Sequence, residues 1–316
     1  MLYKIALLTG FALLVLSSAT AQPFPKGKKI SPNLFGLFFE DINYAADGGL
    51  YAELVQNRSF EYNPEEQRNW HPFSFWEYVT PGFSYGHISV ETNTPVHPDN
   101  PHYIVLDIEL VGHYEQHQGA SGVGIKNAGF EGMVVRAGEQ YNFSMLANQY
   151  TDSPIEFLVR LENPKGEVLG EGKVTTAAKD WKKYATTLTA TTNSDSVSLL
   201  VLATNEGKLS LDMVSLFPQK TFKNRDNGLR ADLAQSLADM KPAFIRFPGG
   251  CLVHGSGLGN MYRWENTIGP LETRKAQKNL WGYHQTAGLG FYEYFQFCED
   301  IGAKPLPVLP AAVSCQ

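Results

Sequence analysis

The chain has 316 residues and a formal net charge of −6 at pH 7, which argues against a broad cationic surface for nucleic acid. It has only three cysteines, Cys251, Cys298 and Cys315, too few for a disulfide-rich scaffold. We expect all three to be reduced, and a Cys251–Cys315 disulfide is the less favoured alternative.

The first 21 residues have the pattern of a secretory signal. Lys4 supplies a positive charge, residues 5–16 are almost entirely apolar, and Ala19-Thr-Ala21 provides the small residues of a cleavage site. The apolar run is shorter than the ~20 residues that span a bilayer. This favours cleavage after Ala21 over a membrane anchor. We therefore expect a secreted or periplasmic protein with neither a membrane nor a nucleic-acid partner.

Residues 30–40 form an apolar run, which predicts a strand buried on both faces, as in parallel sheets. Glu40 and Asp41 stand at its carboxyl end. In a barrel of alternating strands and helices that end faces the active site. The role of Asp41 is open. Glu53 and Asn57, in the segment that follows, are interpreted as structural.

Residues 66–218 change from helical to alternating periodicity. Short apolar–polar runs occur at 87–91, 103–107, 141–145, 155–160, 196–202 and 209–214. Many short strands at this spacing predict a β-sandwich, which could be a carbohydrate-binding module or a spacer. Its aromatic residues could either stack on sugars or fill the core: Trp70, Trp76, Tyr78, Tyr85, Tyr114 and Trp181. Glu61 and Asp212 fit a structural Ca²⁺ site weakly, and surface positions are favoured for both.

Helical periodicity returns after residue 226. Apolar residues three or four apart predict a helix that Asp226 or Asn227 caps, and they are Leu229, Leu233, Leu237 and Met240. A strand at Phe244–Phe247, interrupted by Arg246, then ends at a Pro-Gly-Gly turn.

The last third of the chain predicts a long loop, a helix and a strand. Residues 262–270 form the loop, in which a packed Trp264 with a hydrogen-bonded Glu265 is favoured. Residues 273–278 are basic and are expected to be solvated, and His284 is interpreted as structural. An amphipathic helix is expected over 290–301, capped by Gly302, and a strand over 304–309.

Three stretches together resemble glycoside hydrolase family 51, the α-L-arabinofuranosidases: Gly36-Leu-Phe-Phe-Glu40, residues 244–254 and residues 262–270. The resemblance covers about residues 29–65 and 220–316. It implies an α/β fold plus an all-β part: the first three strands of a truncated (β/α)₈ TIM barrel, with an inserted jelly-roll sandwich. The expected boundaries are 1–21 for the signal, 22–65 and 219–316 for the barrel, and 66–218 for the sandwich.

The resemblance also implies four substrate-binding residues. Glu40 would bind a sugar hydroxyl, and Arg246 would lie at the base of the site, where it keeps the nucleophilic carboxylate ionised. Cys251 would point at the sugar, and Trp281 would lie near the substrate. No cofactor or metal is implied, and the expected partners are arabinose-containing plant polysaccharides or oligosaccharides.

The resemblance further implies hydrolysis with retention, which needs an acid/base carboxyl and a nucleophilic carboxylate. In the family these follow the fourth and seventh barrel strands. Neither segment occurs in these 316 residues. We therefore expect an N-terminal fragment without catalytic residues of its own. The alternative is a secreted carbohydrate-binding protein that does not hydrolyse its ligand.

Overall fold

The computed structural model describes residues 27–113 and 120–311, and the chain divides into two units, Met1–Leu34 and Phe35–Gln316. In the first unit, the amide of Leu34 donates to the carbonyl of Ser31 in a turn (3.1 Å). The predicted signal segment lies outside the described residues. Within the described ranges, no helix is long and apolar enough to cross a membrane.

The larger unit begins with β1 (Leu37–Phe38) and continues into two antiparallel sheets. Their strands are β2 (Trp76–Val79), β3 (Tyr85–Glu91), β4 (Tyr103–Leu110), β5 (Val123–Asn127), β6 (Met133–Val135), β7 (Gln140–Gln149), β8 (Ile155–Glu162), β9 (Val168–Thr176), β10 (Lys182–Thr189), β11 (Ser194–Ala203) and β12 (Gly207–Pro218). One sheet has the order β10-β7-β12-β4-β3. The other has the order β2-β5-β11-β8-β9, and β6 pairs with β11.

The two sheets share one apolar core, as the alternating pattern of the sequence predicts. Buried and more exposed residues alternate along β7, because successive side chains of a strand point to opposite faces. Leu106 of β4 and Phe143 of β7 meet Ile125 of β5 and Val159 of β8 in this core, and all four are at most 1% exposed. The β-sandwich prediction is therefore confirmed.

A third sheet, which is parallel, lies outside the sandwich and has the order β1-β13-β16, with β13 at Phe244–Phe247 and β16 at Lys304–Pro307. The helices near it are α1 (Ala231–Asp239), α2 (Cys251–His254) and α3 (Phe291–Ile301). Phe247 stacks on Tyr294 of α3, with ring centroids 4.7 Å apart. A hairpin, β14 (Gln277–Asn279) and β15 (Tyr283–Gln285), lies between α2 and α3 in the chain. Gly302 ends α3 in the left-handed conformation (φ 71°), as predicted.

The first strand is shorter and more exposed than predicted. β1 contains only Leu37 and Phe38, and Phe38 is 53% exposed. The residues before it form a turn at Ser31–Leu34 instead of a strand. In this turn the Ser31 carbonyl accepts the amide of Leu34, and the Ser31 side chain accepts the amide of Asn33 (3.2 Å). The last strand, β16, is likewise shorter than residues 304–309 and is exposed along its length.

The predicted cap of the first helix is wrong, and its predicted apolar face is confirmed only in part, because Leu229 and Leu237 contact the core whereas Leu233 is exposed. α1 begins after Arg230, and Asn227 instead donates to the carbonyl of Gly288 (3.0 Å) and to Glu293 (2.8 Å). Met240 is 63% exposed, whereas the small Ala234 is fully buried. An Ala at the contact lets the helix approach closely, which leaves the larger apolar side chains at its margin.

Several polar residues are more buried than the sequence indicates. Glu61 and Asp212 are buried rather than at the surface. Glu61 binds His102, while burial raises the pKa of Asp212 well above its usual range. Arg274 is also buried, because it pairs with Glu293 (2.8 Å).

The structure decides one open aromatic alternative and corrects one aromatic prediction. Trp76 lies in the sandwich core, where its indole N–H donates to the carbonyl of Asn57 (2.8 Å). Conversely, Trp264 is 43% exposed and Glu265 is exposed, so the packed arrangement predicted for this loop is wrong. Tyr114 lies outside the described residues.

Candidate functional site

Glu40 follows β1 and reaches the glycine turn that follows β13. Its Oε1 accepts the backbone amides of Gly250 (2.8 Å) and Leu252 (2.9 Å). A Cβ at Gly249 would lie 2.7 Å from Cγ of Glu40, so this approach requires glycine. No donor in the described ranges hydrogen-bonds Oε2. The second oxygen of Glu40 is therefore the one that can accept a ligand hydroxyl.

Arg246 and Glu40 converge on the same turn. The Arg246 guanidinium lies 4.3 Å from the ring centroid of Phe38, a cation–π contact. A Cβ at Gly250 would be 3.8 Å from each of Arg246 Nη2, Glu40 Oε2 and Phe38 Cζ. An acceptor, a donor group and an aromatic ring thus surround one small backbone position. A sugar could use all three kinds of contact.

Cys251 directly follows this turn as the first residue of α2 and is partly buried. Burial raises the pKa of the Cys298 thiol to about 11. Cys315 lies outside the described residues. The position of Cys251 in the chain places it beside Glu40 and Arg246.

Asp41, whose role the sequence left open, is the centre of a buried hydrogen-bond network. It is 1% exposed, and its side chain accepts bonds from the Ala46 amide (3.0 Å), the Tyr283 hydroxyl (3.0 Å) and the Gln285 amide (2.8 Å). Asn279 and Tyr283 also donate to its backbone carbonyl (3.0 and 2.7 Å). The residue next to Glu40 therefore fixes the β14–β15 hairpin. The only signal in the sequence was a pair of acids after an apolar strand.

Asp41 also has an altered protonation equilibrium. Its burial, and secondarily the nearby Asp47, raise the pKa of its carboxyl to about 6. Asp47 accepts the amide and the hydroxyl of Thr286 (both 2.8 Å). Asp41 can therefore gain a proton in mildly acidic solution. Within the described residues, no group of three or more His, Cys, Asp or Glu side chains is placed to hold a metal.

Trp281 lies at the turn of the hairpin and is 45% exposed. Its amide donates to Asn279 Oδ1 (2.7 Å), and the adjacent Gly282 carbonyl accepts a bond from Gln67. In the described part of the chain, no hydrogen bond or ring contact joins Trp281 to Glu40 or Arg246. The structure therefore brings three of the four predicted substrate-binding residues to one turn, and the fourth only to the hairpin that Asp41 holds.

His284 and Glu66 support the other side of this hairpin. His284 Nδ1 lies 2.7 Å from Glu66 Oε1, and both side chains are 2% exposed. The imidazole ring also contacts Tyr62, with centroids 4.4 Å apart. The structural interpretation of His284 is thus confirmed, and the same holds for Glu53, which accepts the Leu216 amide (2.9 Å), and for Asn57.

Known proteins resemble the chain along most of its length. The family described as alpha-L-arabinofuranosidase 1 domain matches residues 236–316. An extracellular exo-alpha-L-arabinofuranosidase of Streptomyces chartreusis is 41% identical over 309 residues, 94% of this chain and 35% of the relative. Alpha-L-arabinofuranosidase 1 of Arabidopsis thaliana is 36% identical over 293 residues, 91% of this chain and 42% of the relative.

A solved structure has a similar fold. An arabinose-bound α-L-arabinofuranosidase of glycoside hydrolase family 51 superposes with a TM-score of 0.77 at 33% identity, over 89% of this chain and 44% of that one. This chain has the sequence and fold of the N-terminal region of a family 51 α-L-arabinofuranosidase. The resemblance inferred from the motifs is confirmed, and the chain spans less than half the length of these relatives.

Proposed function

We propose that this chain is the N-terminal part of a secreted enzyme that releases terminal arabinofuranose from arabinan or arabinoxylan, without a cofactor. The relatives named above are α-L-arabinofuranosidases, one of them extracellular, and the structural neighbour holds arabinose. The single observation that carries the proposal is the convergence of Glu40 Oε2 and Arg246 at the Gly250 turn. There Glu40 accepts a sugar hydroxyl.

The proposal includes a barrel. β1, β13 and β16 are neighbouring parallel strands in chain order with α1 and α3 between them, as in the first part of a (β/α)₈ barrel. The jelly-roll sandwich, a carbohydrate-binding-module-like domain, is inserted after the first strand. Glu40 and the Gly249–Gly250 turn then stand at the carboxyl ends of adjacent strands, where barrels carry their active sites.

The proposed reaction retains configuration and needs two further carboxyl groups about 5–5.5 Å apart. Glu40 is poorly suited to attack, because its Oε1 is occupied by two backbone amides. Asp41 is enclosed by the hairpin. We therefore assign the acid/base and the nucleophile to the part of the relatives' length that this chain does not span. Arg246 supplies positive charge that keeps the neighbouring nucleophile ionised.

A secreted protein that only binds carbohydrate is less well supported. The relatives that match 91–94% of this chain are named as arabinofuranosidases, and they match the sandwich together with the segments around it. The sandwich is thus a component of those enzymes.

The test is binding of L-arabinose to the chain, measured by calorimetry, in the parent and in Glu40→Gln. The Gln side chain retains one carbonyl oxygen for the two amides but removes the negative charge. A charge-assisted hydrogen bond contributes ~1.5–3 kcal/mol, so arabinose affinity should fall by about tenfold or more. The matched control is Glu77→Gln on an exposed strand position. Equal arabinose affinity in parent and Glu40→Gln would contradict the role of Glu40.

Activity gives a separate measurement. The chain alone should release no 4-nitrophenol from 4-nitrophenyl α-L-arabinofuranoside, and a full-length relative serves as positive control. Turnover within about a hundredfold of that relative, a difference of ~2.7 kcal/mol in barrier, would show that the reacting carboxylates lie in this chain.

A further inference from the structure

A large cavity lies next to the network of Asp41, the residue that follows Glu40. It has a volume of about 820 Å³ and runs between residues 61–66 and 98–101, around the start of the sandwich, and loop residues 256–278. Lys275 and Gln277 line both this cleft and the small cavity next to Asp41. The cleft therefore adjoins the Asp41 network on the side of the sandwich. Its volume is within the range of about 300–1,000 Å³ of ligand pockets.

The lining of the cleft favours a neutral, hydroxyl-rich ligand. Glu65 and Asp99 offer acceptors, Arg263 and Lys278 offer donors, and Asn63 offers both. Side chains of both signs face the same space, so an anion or a cation would meet like charges on part of the wall. A carbohydrate hydroxyl both donates and accepts, and it can use each of these groups.

The cleft is preorganised, because its floor and one wall are held by internal hydrogen bonds and an ion pair. The buried Glu66–His284 pair forms part of the floor. Glu61, 8% exposed, accepts the His102 amide (2.8 Å). In the wall, Asn260 donates to the carbonyl of Lys278 (3.1 Å). These bonds fix the buried groups and the backbone that shape the cleft before a ligand binds.

We propose that this cleft binds the main chain of the polysaccharide from which arabinose is released. The inference rests on the proposed function. The ligand is a neutral oligosaccharide segment, held by hydrogen bonds between the sandwich and the loop after β13, while the terminal sugar occupies the turn at Gly250. The inserted sandwich then forms one wall of the polymer site.

Gly259 allows the cleft to be filled without removal of any bond. It lines the cleft, and a Cβ built on it meets no atom within 4 Å. Gly259→Trp therefore adds an indole at the lining of the cleft without a clash at Cβ, and Gly259→Ala is the matched control because it adds only one methyl group. Retardation of the chain in native gels that contain soluble arabinan or arabinoxylan reports polymer binding, and thermal melting checks that each variant is folded.

The parent and Gly259→Ala should be retarded equally, and Gly259→Trp should bind the polymers about tenfold or more weakly. A folded Gly259→Trp with the affinity of the parent overturns the proposal, and so does a parent that the polymers do not retard. Should Gly259→Trp fail to fold, the double variant Arg263→Ala/Lys278→Ala must lose retardation for the proposal to stand. Arabinose calorimetry separates the two sites: normal arabinose binding without polymer binding refutes the cleft alone, and the reverse result refutes the sugar site alone.

Discussion

Asp41→Asn is expected to remove a buried charge while it preserves the hairpin network. The new side-chain oxygen can accept the Ala46 amide and the Tyr283 hydroxyl, as the carboxylate does. Its amide nitrogen would face the Gln285 nitrogen. However, Gln285 Oε1 has no hydrogen-bond partner in the described structure, so rotation of this amide restores a donor–acceptor pair.

The sign of the effect follows from the raised pKa of Asp41, about 6 against 3.8 for an unperturbed group. Between these values the folded chain binds more protons than the unfolded chain, so its free energy of unfolding falls as the pH rises. The shift of roughly two pKa units corresponds to ~3 kcal/mol. Asp41→Asn has no titrating group at this position, so its free energy of unfolding does not fall in this way as the pH rises. It should match the parent near pH 4 and exceed its stability by up to about 3 kcal/mol above pH 7.

Hydrogen exchange of peptides that cover residues 277–285 is the suitable assay, because a chain with two cores need not unfold in one step. Protection, corrected for the intrinsic exchange rate, is compared at pH 4.5 and 7.5. Asp226→Asn, at an exposed position, is the control. If the difference in protection between Asp41→Asn and the parent is the same at both pH values, the pKa of Asp41 is not raised.

Two further predictions concern stability. Arg274→Ala leaves Glu293 buried without its cation and should cost ~3–5 kcal/mol, whereas Arg230→Ala, in an exposed pair, should cost less than about 1 kcal/mol; equal falls in melting temperature would contradict the burial argument. The excised segment 66–218 should give β-type circular dichroism and a cooperative melt. The longer segment 53–218 should melt at a higher temperature, because it adds two buried apolar side chains to the core, each contributing ~1.5–3 kcal/mol. A disordered spectrum for both segments would refute an independent sandwich.

The sandwich and the sugar-site turn could be predicted because their signals are local. Alternation along a strand such as β8 depends only on the geometry of extended backbone. The Gly249–Gly250 turn likewise marks a close approach, and Glu40 occupies that space. Glu40 and Arg246, which are far apart in the chain, were assigned to one site only by the resemblance to family 51, and the structure brings both to this turn.

The roles of Asp41 and Arg274 could not be predicted, because a buried charge depends on partners that no local pattern reveals. Arg274 lies in a basic stretch, but its guanidinium donates to Glu293 and to the carbonyls of Gly269 and Ala287 in irregular loops. Asp41 is enclosed by a hairpin more than 200 residues later in the chain. The close contact of helix α1 through the small Ala234 was missed for a related reason, because periodicity of large apolar residues does not detect it.

The insertion of the sandwich has a consequence for the order of folding. Leu37 pairs with Ile245 about 200 residues away, and closing so long an unfolded loop carries an entropic cost that grows with its length. The folded sandwich brings its own ends together, since the Leu54 amide donates to the Leu216 carbonyl (3.0 Å). That contact shortens the remaining loop to roughly 45 residues, which lowers the entropic cost of loop closure by about 1 kcal/mol. During synthesis the sandwich also leaves the ribosome before β13 does. The parallel sheet is therefore expected to assemble late, on a domain that has already closed the gap between its first two strands.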